Sequence, residues 1–320
     1  MRENGPVVSV VVCTATRLAE LSRCLLSILS QSLPASDYEI VLVNNAPESD
    51  EDVRTLVGGF HAPDRIRCLV EEEEGLSAAR NKGIVSSTGS VVAFIDDDAQ
   101  ADQCWLESLL DVYRAHPGAA AVGGRIKLFW DEPVPPWHHA ELNGYLGELD
   151  YGEVVFRVGE RQRLGGGNLS IRRSWLDRCR GFSRQLGRNR RSLLSGEEIE
   201  LLLRIQSLGG ECFYAPGALV HHPAPAARVS KHYLRSRSYW GARSDARIDA
   251  MYSNGAVLRS VCGRAVRVPY NWLRSLLYGV IGQPSSAFLW ETYGWSCLGY
   301  VVEGVQSIAW PRATLQTQPK

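Results

Sequence analysis

The sequence has no run of 18 uninterrupted apolar residues, and its eight cysteines lie far apart without a CxxC pair. The first absence argues against a clean transmembrane helix. The second argues against a zinc site or a dense disulfide framework and favours a reducing compartment. The opening segment, MRENGPVVSVVVCTATR, lacks the basic n-region and the cleavage site of a signal peptide. Together these absences predict a cytoplasmic location.

The formal net charge is zero, but the charges are unevenly placed along the 320 residues. Residues 1–110 carry 8 basic and 18 acidic side chains, whereas residues 171–320 carry 21 basic and 9 acidic. An acidic half suits cations, and a basic half suits phosphates, anionic lipid headgroups or nucleic acid. Nucleic acid is disfavoured because aromatic and basic residues do not interleave on the predicted strands. Two ordinary solvated surfaces would explain the same counts.

The first hundred residues alternate short β-branched runs with longer amphipathic segments. The predicted strands are 7–13, 39–43, 66–70 and 91–95, and the predicted helices are 18–31, 50–57 and 76–86. This alternation is typical of βαβα units with buried parallel strands. We therefore predict an α/β fold with a Rossmann-like, mainly parallel sheet that has helices on both faces and continues to about residue 222.

Three carboxylates, Asp96, Asp97 and Asp98, directly follow the fourth predicted strand. In an open parallel sheet, ligands bind beyond the carboxyl ends of the strands. Adjacent carboxylates repel each other and raise each other's pKa unless a cation compensates. Asp96 and Asp98 are therefore predicted to bind Mn²⁺ or Mg²⁺, which would bridge the phosphates of a nucleotide diphosphate. An acidic loop in solvent is the alternative.

Six sequence blocks in order carry a specific resemblance. They are VSVVVCTATR, EIVLVNNAPESD, GLSAARNKGI with the following DDD, GGGNLSIRR, GEEIELLLRIQSLGG and YAPGALVHHPAPAARVS, which together span about residues 7–230. The chain resembles the family 2 glycosyltransferases of GT-A fold, in which an aspartate motif follows a buried strand. The resemblance implies an enzyme that uses a nucleotide-diphosphate sugar and a divalent metal ion.

The resemblance also assigns residues to the donor site. The implied nucleotide-sugar-binding residues are Thr14, Thr16, Arg17, Asn44, Asn45, Arg80, Asn81, Asp96, Asp97, Gly166, Asn168 and Arg228. The implied metal ligands are Asp98 and Asp96 with one imidazole, preferably that of His222 and otherwise that of His221. For Arg80 the alternative is a surface salt bridge to the acidic run 71–74, and for the histidines it is a structural role at a strand end.

The predicted catalytic base is Glu198, with Glu197 as the alternative. Both carboxylates begin a predicted amphipathic helix after Gly196, where the helix dipole favours an ionised group. The alternative is that these two glutamates are ordinary acidic residues at a helix N-terminus and have no catalytic role. The chain departs from the family pattern because Glu198 stands where Asp is usual and because Asn44 and Asn45 replace an acidic pair. The donor base is therefore left open among UDP, dTDP and GDP.

The predicted reaction is an inverting transfer of a sugar to an acceptor hydroxyl, in which the acceptor is a saccharide or a lipid-linked molecule. By analogy with the family, the product would belong to bacterial surface polysaccharides or glycolipids. Two rivals are considered. A sugar-phosphate nucleotidyltransferase would be expected to have a glycine-rich phosphate loop after the first strand, but the segment CTATR at that position contains no glycine. A catalytically silent sugar- or membrane-binding protein would keep the fold without the reaction.

Residues 229–320 are predicted to form a helical, basic region with five of the nine tryptophans. Such a composition suits an interfacial helix at the inner face of the plasma membrane. A helical extension packed on the core, or a homodimer contact, is the alternative. We thus divide the chain into a catalytic domain of residues 1–228, with halves 1–115 for the nucleotide and 116–228 for the acceptor, and the region 229–320. The arginine-rich loop 178–191 would cover an anionic ligand or stay solvated.

Overall fold

The computed structural model of the chain describes residues 6–15, 17–159, 162–189 and 192–309. These residues form two compact units. The first consists of the described parts of 1–129, 147–190 and 197–223, and the second of the described parts of 130–146, 191–196 and 224–320.

The first half of the first unit has the predicted βαβα order. Its strands are β1 (Val8–Thr14), β2 (Tyr38–Asn44), β3 (Ile66–Val70) and β4 (Val91–Asp96). The helices between them are α1 (Leu18–Leu29), α2 (Asp50–Gly58) and α3 (Leu76–Ser86). The four strands are parallel and lie in the order β3-β2-β1-β4. Their carboxyl ends therefore meet at one edge of the sheet.

The rest of the chain extends this sheet with antiparallel strands. The further elements are β5 (Gln100–Ala101), α4 (Trp105–Ala115), β6 (Ala119–Trp130), α5 (Asn143–Leu146), β7 (Phe156–Arg157), β8 (Asn168–Arg172), α6 (Arg173–Cys179), α7 (Glu197–Ser207) and β9 (Glu211–Ala224). The strand order is β3-β2-β1-β4-β8-β6-β9-β5, with β7 also on β9. The predicted α/β class is confirmed, and the sheet is mixed rather than parallel throughout.

Alternate residues of the parallel strands enter two separate cores. On β1, Val10 and Val12 pack in one core with side chains of α1, α2 and α4, whereas Val11 packs in the other with side chains of α3, α6 and α7. Burial on both faces explains why β1, β2 and β4 are largely apolar, whereas the edge strand β3 is only partly buried. Gly83 of α3 lies so close to β1 that a Cβ there would come within 2.4 Å of a Val11 methyl group.

The second unit is mainly helical, as predicted for the C-terminal region. It contains α8 (Lys231–Tyr252), α9 (Asn254–Val280) and α10 (Pro284–Ala309). Glu303 is fully buried and pairs with Arg243 and Arg247, each at 2.7 Å. None of the helices in the described ranges has an apolar stretch long enough to cross a membrane.

Candidate active site

The three aspartates lie at the carboxyl end of β4, where the ends of β1 and β4 meet. Asp97 and Asp98 are only 3% and 5% exposed. Thr14 donates a hydrogen bond from Oγ1 to Asp97 Oδ2 at 2.7 Å, and Arg17 pairs with Asp97 at 2.6 Å and also with Asp98. Burial raises the pKa of Asp97 to about 6, although the Arg17 guanidinium opposes this rise.

A group of possible metal ligands is formed by Asp96, Asp98 and His222. One ligand atom from each lies within 4.8 Å of the other two, and His222 Nε2 is 3.4 Å from Asp98 Oδ1. Atoms that bind one ion at about 2.1 Å are about 3 Å apart when they are adjacent in its coordination shell. Two carboxylates and an imidazole are ligand types that a divalent metal ion accepts. His221 precedes His222 on β9 and faces the other side of the sheet.

The side chain of Arg80 lies inside the first unit, behind the aspartates. Its guanidinium contacts Glu197 Oε1 at 2.7 Å, the backbone oxygen of Gly166 at 3.0 Å and Asp96 Oδ1 at 3.4 Å. It also lies 5.4 Å from the centre of the Phe182 ring. Arg80 therefore does not form the surface salt bridge to residues 71–74 that was the alternative for this residue.

Glu197 and Glu198 begin α7, after Gly196, whose φ of 87° favours glycine. Glu197 is buried, and no hydrogen-bond partner of its Oε2 occurs among the described residues. Burial, together with the neighbouring Glu197 carboxylate, raises the pKa of Glu198 to about 7, although the Arg80 guanidinium opposes this rise. A carboxylate with a pKa near 7 can accept a proton at neutral pH and release it again.

The glycine-rich segment before β8 lies directly against this cluster. A Cβ at Gly166 would be 3.0 Å from an Arg80 nitrogen, and a Cβ at Gly167 would be 2.7 Å from Asp96 Oδ2. Only Gly166 was predicted from the sequence as a site residue. Gly167 could have been found from the run of three glycines before a strand, which indicates a close backbone approach.

Comparison with known proteins identifies the family. Residues 9–180, more than half of the chain, match the model of Glycosyl transferase family 2. The chain is a member of this family.

Several curated proteins are similar to this family 2 glycosyltransferase over most of their length. Glucosyl-dolichyl phosphate glucuronosyltransferase from Haloferax volcanii is 32% identical over 250 residues, which is 77% of this chain and 78% of the relative. Glycosyltransferase AglE from the same organism is 34% identical over 73% of each chain. The succinoglycan biosynthesis protein ExoM from Rhizobium meliloti is 27% identical over 78% of this chain and 77% of the relative.

Within the family 2 glycosyltransferase, Asn45 uses its amide to hold the loop after β3. Its Nδ2 donates to the backbone oxygens of Glu71 and Glu73 at 2.9 and 2.8 Å, and its Oδ1 accepts from the Gly75 nitrogen at 2.8 Å. Both hydrogens of Nδ2 are thus used within the protein, whereas Oδ1 keeps a second lone pair that could accept from the nucleotide base. The neighbouring Asn44 is different, because its buried Nδ2 has no hydrogen-bond partner among the described residues.

Two further predicted site residues of the glycosyltransferase also bond within the protein. Asn81 exchanges two hydrogen bonds with the backbone of Phe182, at 2.9 and 2.8 Å. Asn168 is fully buried, donates to two backbone oxygens and accepts from Trp105 Nε1 at 2.8 Å. These contacts give both amides a structural role, and their contact with a donor sugar stays a prediction.

Two predicted residues and one predicted loop of the glycosyltransferase remain. Thr16 is outside the described residues, and Arg228 belongs to the second unit. The described part of the arginine-rich loop bonds to the start of α3. Ser77 Oγ donates to the Leu186 oxygen at 2.8 Å, and the Leu76 nitrogen donates to the Arg188 oxygen at 3.0 Å.

Proposed function

We propose that this family 2 glycosyltransferase is metal-dependent and transfers a sugar from a nucleotide diphosphate to an acceptor hydroxyl with inversion. The observation that carries the proposal is the convergence of Asp96, Asp98 and His222 at the end of β4. Asp96 also contacts the Arg80 guanidinium, which in turn pairs with Glu197 at the start of α7. Through Arg80 the candidate cation site is thus connected to the start of α7, which carries Glu198.

On the donor side, Asp96, Asp98 and His222 would hold Mn²⁺ or Mg²⁺. The bound ion would neutralise charge on the diphosphate as it leaves the sugar. Arg17 is 42% exposed at its side chain, so its guanidinium can leave the carboxylates and pair with a phosphate. Asn44 offers a buried amide hydrogen to the nucleotide. UDP, dTDP and GDP sugars are all candidates for the donor.

On the acceptor side, we assign Glu198 as the base and Glu197 as a positioning residue. The acceptor oxygen attacks the anomeric carbon while the bond from that carbon to the diphosphate oxygen breaks. The hydroxyl proton passes to the Glu198 carboxylate, whose pKa of about 7 makes it a competent base at neutral pH. Glu197 bonds to Arg80 and thereby fixes the start of α7.

The relatives support a role in glycoconjugate synthesis. One is named for a dolichyl phosphate substrate and another for succinoglycan. We propose a saccharide or a lipid-linked acceptor for this protein as well, and a division of the catalytic domain into a nucleotide half before residue 116 and an acceptor half after it. The family match disfavours a nucleotidyltransferase, so a silent sugar-binding protein is the remaining rival.

A donor screen followed by turnover tests the proposal. Thermal unfolding is measured with UDP, dTDP and GDP sugars, each with and without Mn²⁺, and stabilisation by one base class with the metal is expected. Release of nucleoside diphosphate from that donor is then measured. Asp98→Ala and Glu198→Gln should each abolish transfer, whereas the surface control Asp111→Ala should not. Transfer that survives Asp98→Ala, or retention of the donor's anomeric configuration by NMR, would contradict the proposal.

A further inference from the structure

One side of α9 exposes a continuous row of aliphatic side chains. Helix α9 packs in the second unit through Val257, Val261 and Asn271, which are buried. On the exposed side, six large aliphatic residues fall within an arc of about 100° at the helical repeat. These residues, which we call the α9 stripe, are Leu258, Val266, Leu273, Leu276, Leu277 and Val280.

The exposure of the α9 stripe is unusually high for side chains of this kind. Val266 is 74% exposed, Leu276 is 64% exposed and Val280 is 78% exposed. Single exposed aliphatic residues are common on soluble proteins, but contiguous rows of them mark surfaces that bind a partner or a membrane. The row runs for most of the length of the helix, so it presents an extended surface rather than one pocket.

The charged side chains of α9 itself are all positive. Between Asp249 and Glu291 the sequence contains four arginines and no acidic residue. Arg259 and Arg267 are exposed on α9. Arg274 lies 4.4 Å from the centre of the Trp290 ring and donates hydrogen bonds to the hydroxyls of Tyr270 and Tyr278. Aliphatic, aromatic and arginine side chains are thus combined as in helices that lie at a membrane interface.

We propose that the α9 stripe binds the surface of an anionic lipid bilayer, with α9 lying in the plane of the interface. The aliphatic side chains would enter the boundary between headgroups and acyl chains, and the arginines would contact lipid phosphates. A second copy of the chain fits this surface poorly. Packing two such helices together would bring arginines near each other without any carboxylate from residues 250–290 to pair with them.

Vesicle flotation tests this proposal on the whole 320-residue chain. The protein should float with vesicles of phosphatidylglycerol and phosphatidylcholine, bind pure phosphatidylcholine weakly, and lose binding as salt rises. Leu276→Glu should lower the binding to anionic vesicles by about tenfold or more. The matched control is Val85→Glu, which places the same charge on an exposed valine of α3, and it should bind like the unchanged protein.

The position of the stripe relative to the lipid is tested with a probe on Cys262, which is exposed on the same side of α9. Cys104 is the other exposed cysteine, so the label is placed in a Cys104→Ser background. We expect an environment-sensitive fluorophore on Cys262 to shift to the blue on anionic vesicles and to be quenched by brominated lipids. A Cys262 thiol that does not react in the free monomer would overturn the proposal, because the chain itself would then cover the stripe.

Self-association is the other result that would overturn the proposal. If sedimentation shows a dimer without vesicles that Leu276→Glu dissociates, the stripe binds a second copy. The proposal does not depend on the transfer reaction, so Glu198→Gln must still float with anionic vesicles. Loss of transfer with intact flotation would contradict only the proposed mechanism, and loss of flotation with intact transfer to a soluble acceptor would contradict only the membrane surface.

Discussion

Replacing the Glu198 carboxylate should raise the free energy of unfolding and abolish sugar transfer, because the pKa of this carboxylate is raised in the folded protein. The folded protein raises this pKa from 4.5 to about 7, mainly by burial. The ionised carboxylate therefore destabilises the fold, and stability falls as the pH rises from about 4.5 to 7. Above pH 7 the ionised carboxylate lowers the free energy of unfolding by up to about 3 kcal/mol. Glu198→Gln removes the charge, so it should stabilise the metal-free protein at pH 8 and have little effect at pH 4.5.

Urea unfolding at pH 4.5 and pH 8, with donor turnover at pH 8, measures both effects. We expect Glu198→Gln to raise the unfolding midpoint at pH 8 while it abolishes transfer. Glu197→Gln is the matched control, because it removes a carboxylate one residue away that pairs with the buried Arg80. Loss of the Glu197 charge leaves the buried Arg80 with only the longer ion pair to Asp96, which should cost roughly 3 kcal/mol at both pH values. Equal destabilisation by both variants would refute the reasoning about Glu198.

Three further substitutions test the surroundings of the aspartates. Gly167→Ala places a methyl group 2.7 Å from Asp96 Oδ2, so the carboxylate must move and Mn²⁺ affinity, measured by electron paramagnetic resonance, should fall about tenfold. Arg17→Met removes a positive charge beside Asp98, so Mn²⁺ should bind about fivefold to tenfold more tightly without nucleotide, and unchanged affinity would contradict the pairing. Asn81→Ala removes two hydrogen bonds to the loop after α6 and should lower the free energy of unfolding in urea by about 1–3 kcal/mol.

The parallel half of the fold could be predicted from the sequence because β1, β2 and β4 are buried on both faces. The run from Val91 to Ile95 is wholly apolar, and polar residues follow it at once, so both the strand and its functional end were evident. The strands of the antiparallel half were harder to predict from the sequence. Strand β8 has only five residues, and its place between β4 and β6 depends on contacts between residues far apart in the chain.

The site residues divide according to what their side chains contact. The charged group at Asp96 and Asp98 was predictable, because repelling carboxylates need a cation. The roles of the asparagines were not, because an amide bonds equally well to a ligand or to a nearby backbone group. Asn81 and Asn168 do the latter. Arg80 was expected near phosphates, but only the folded chain shows that Glu197 lies 2.7 Å from it.

The change in strand direction next to β4 has a consequence for how this fold can diversify. β4 pairs in parallel with β1 on one side and antiparallel with β8 on the other. The aspartates lie at the carboxyl end of β4 and thus on the boundary between two differently built halves of one sheet. Insertions and substitutions in either half can alter its loops without changing the pairing within the other half. We expect chimaeras joined after residue 115 to retain the donor preference of the first parent while taking the acceptor preference of the second.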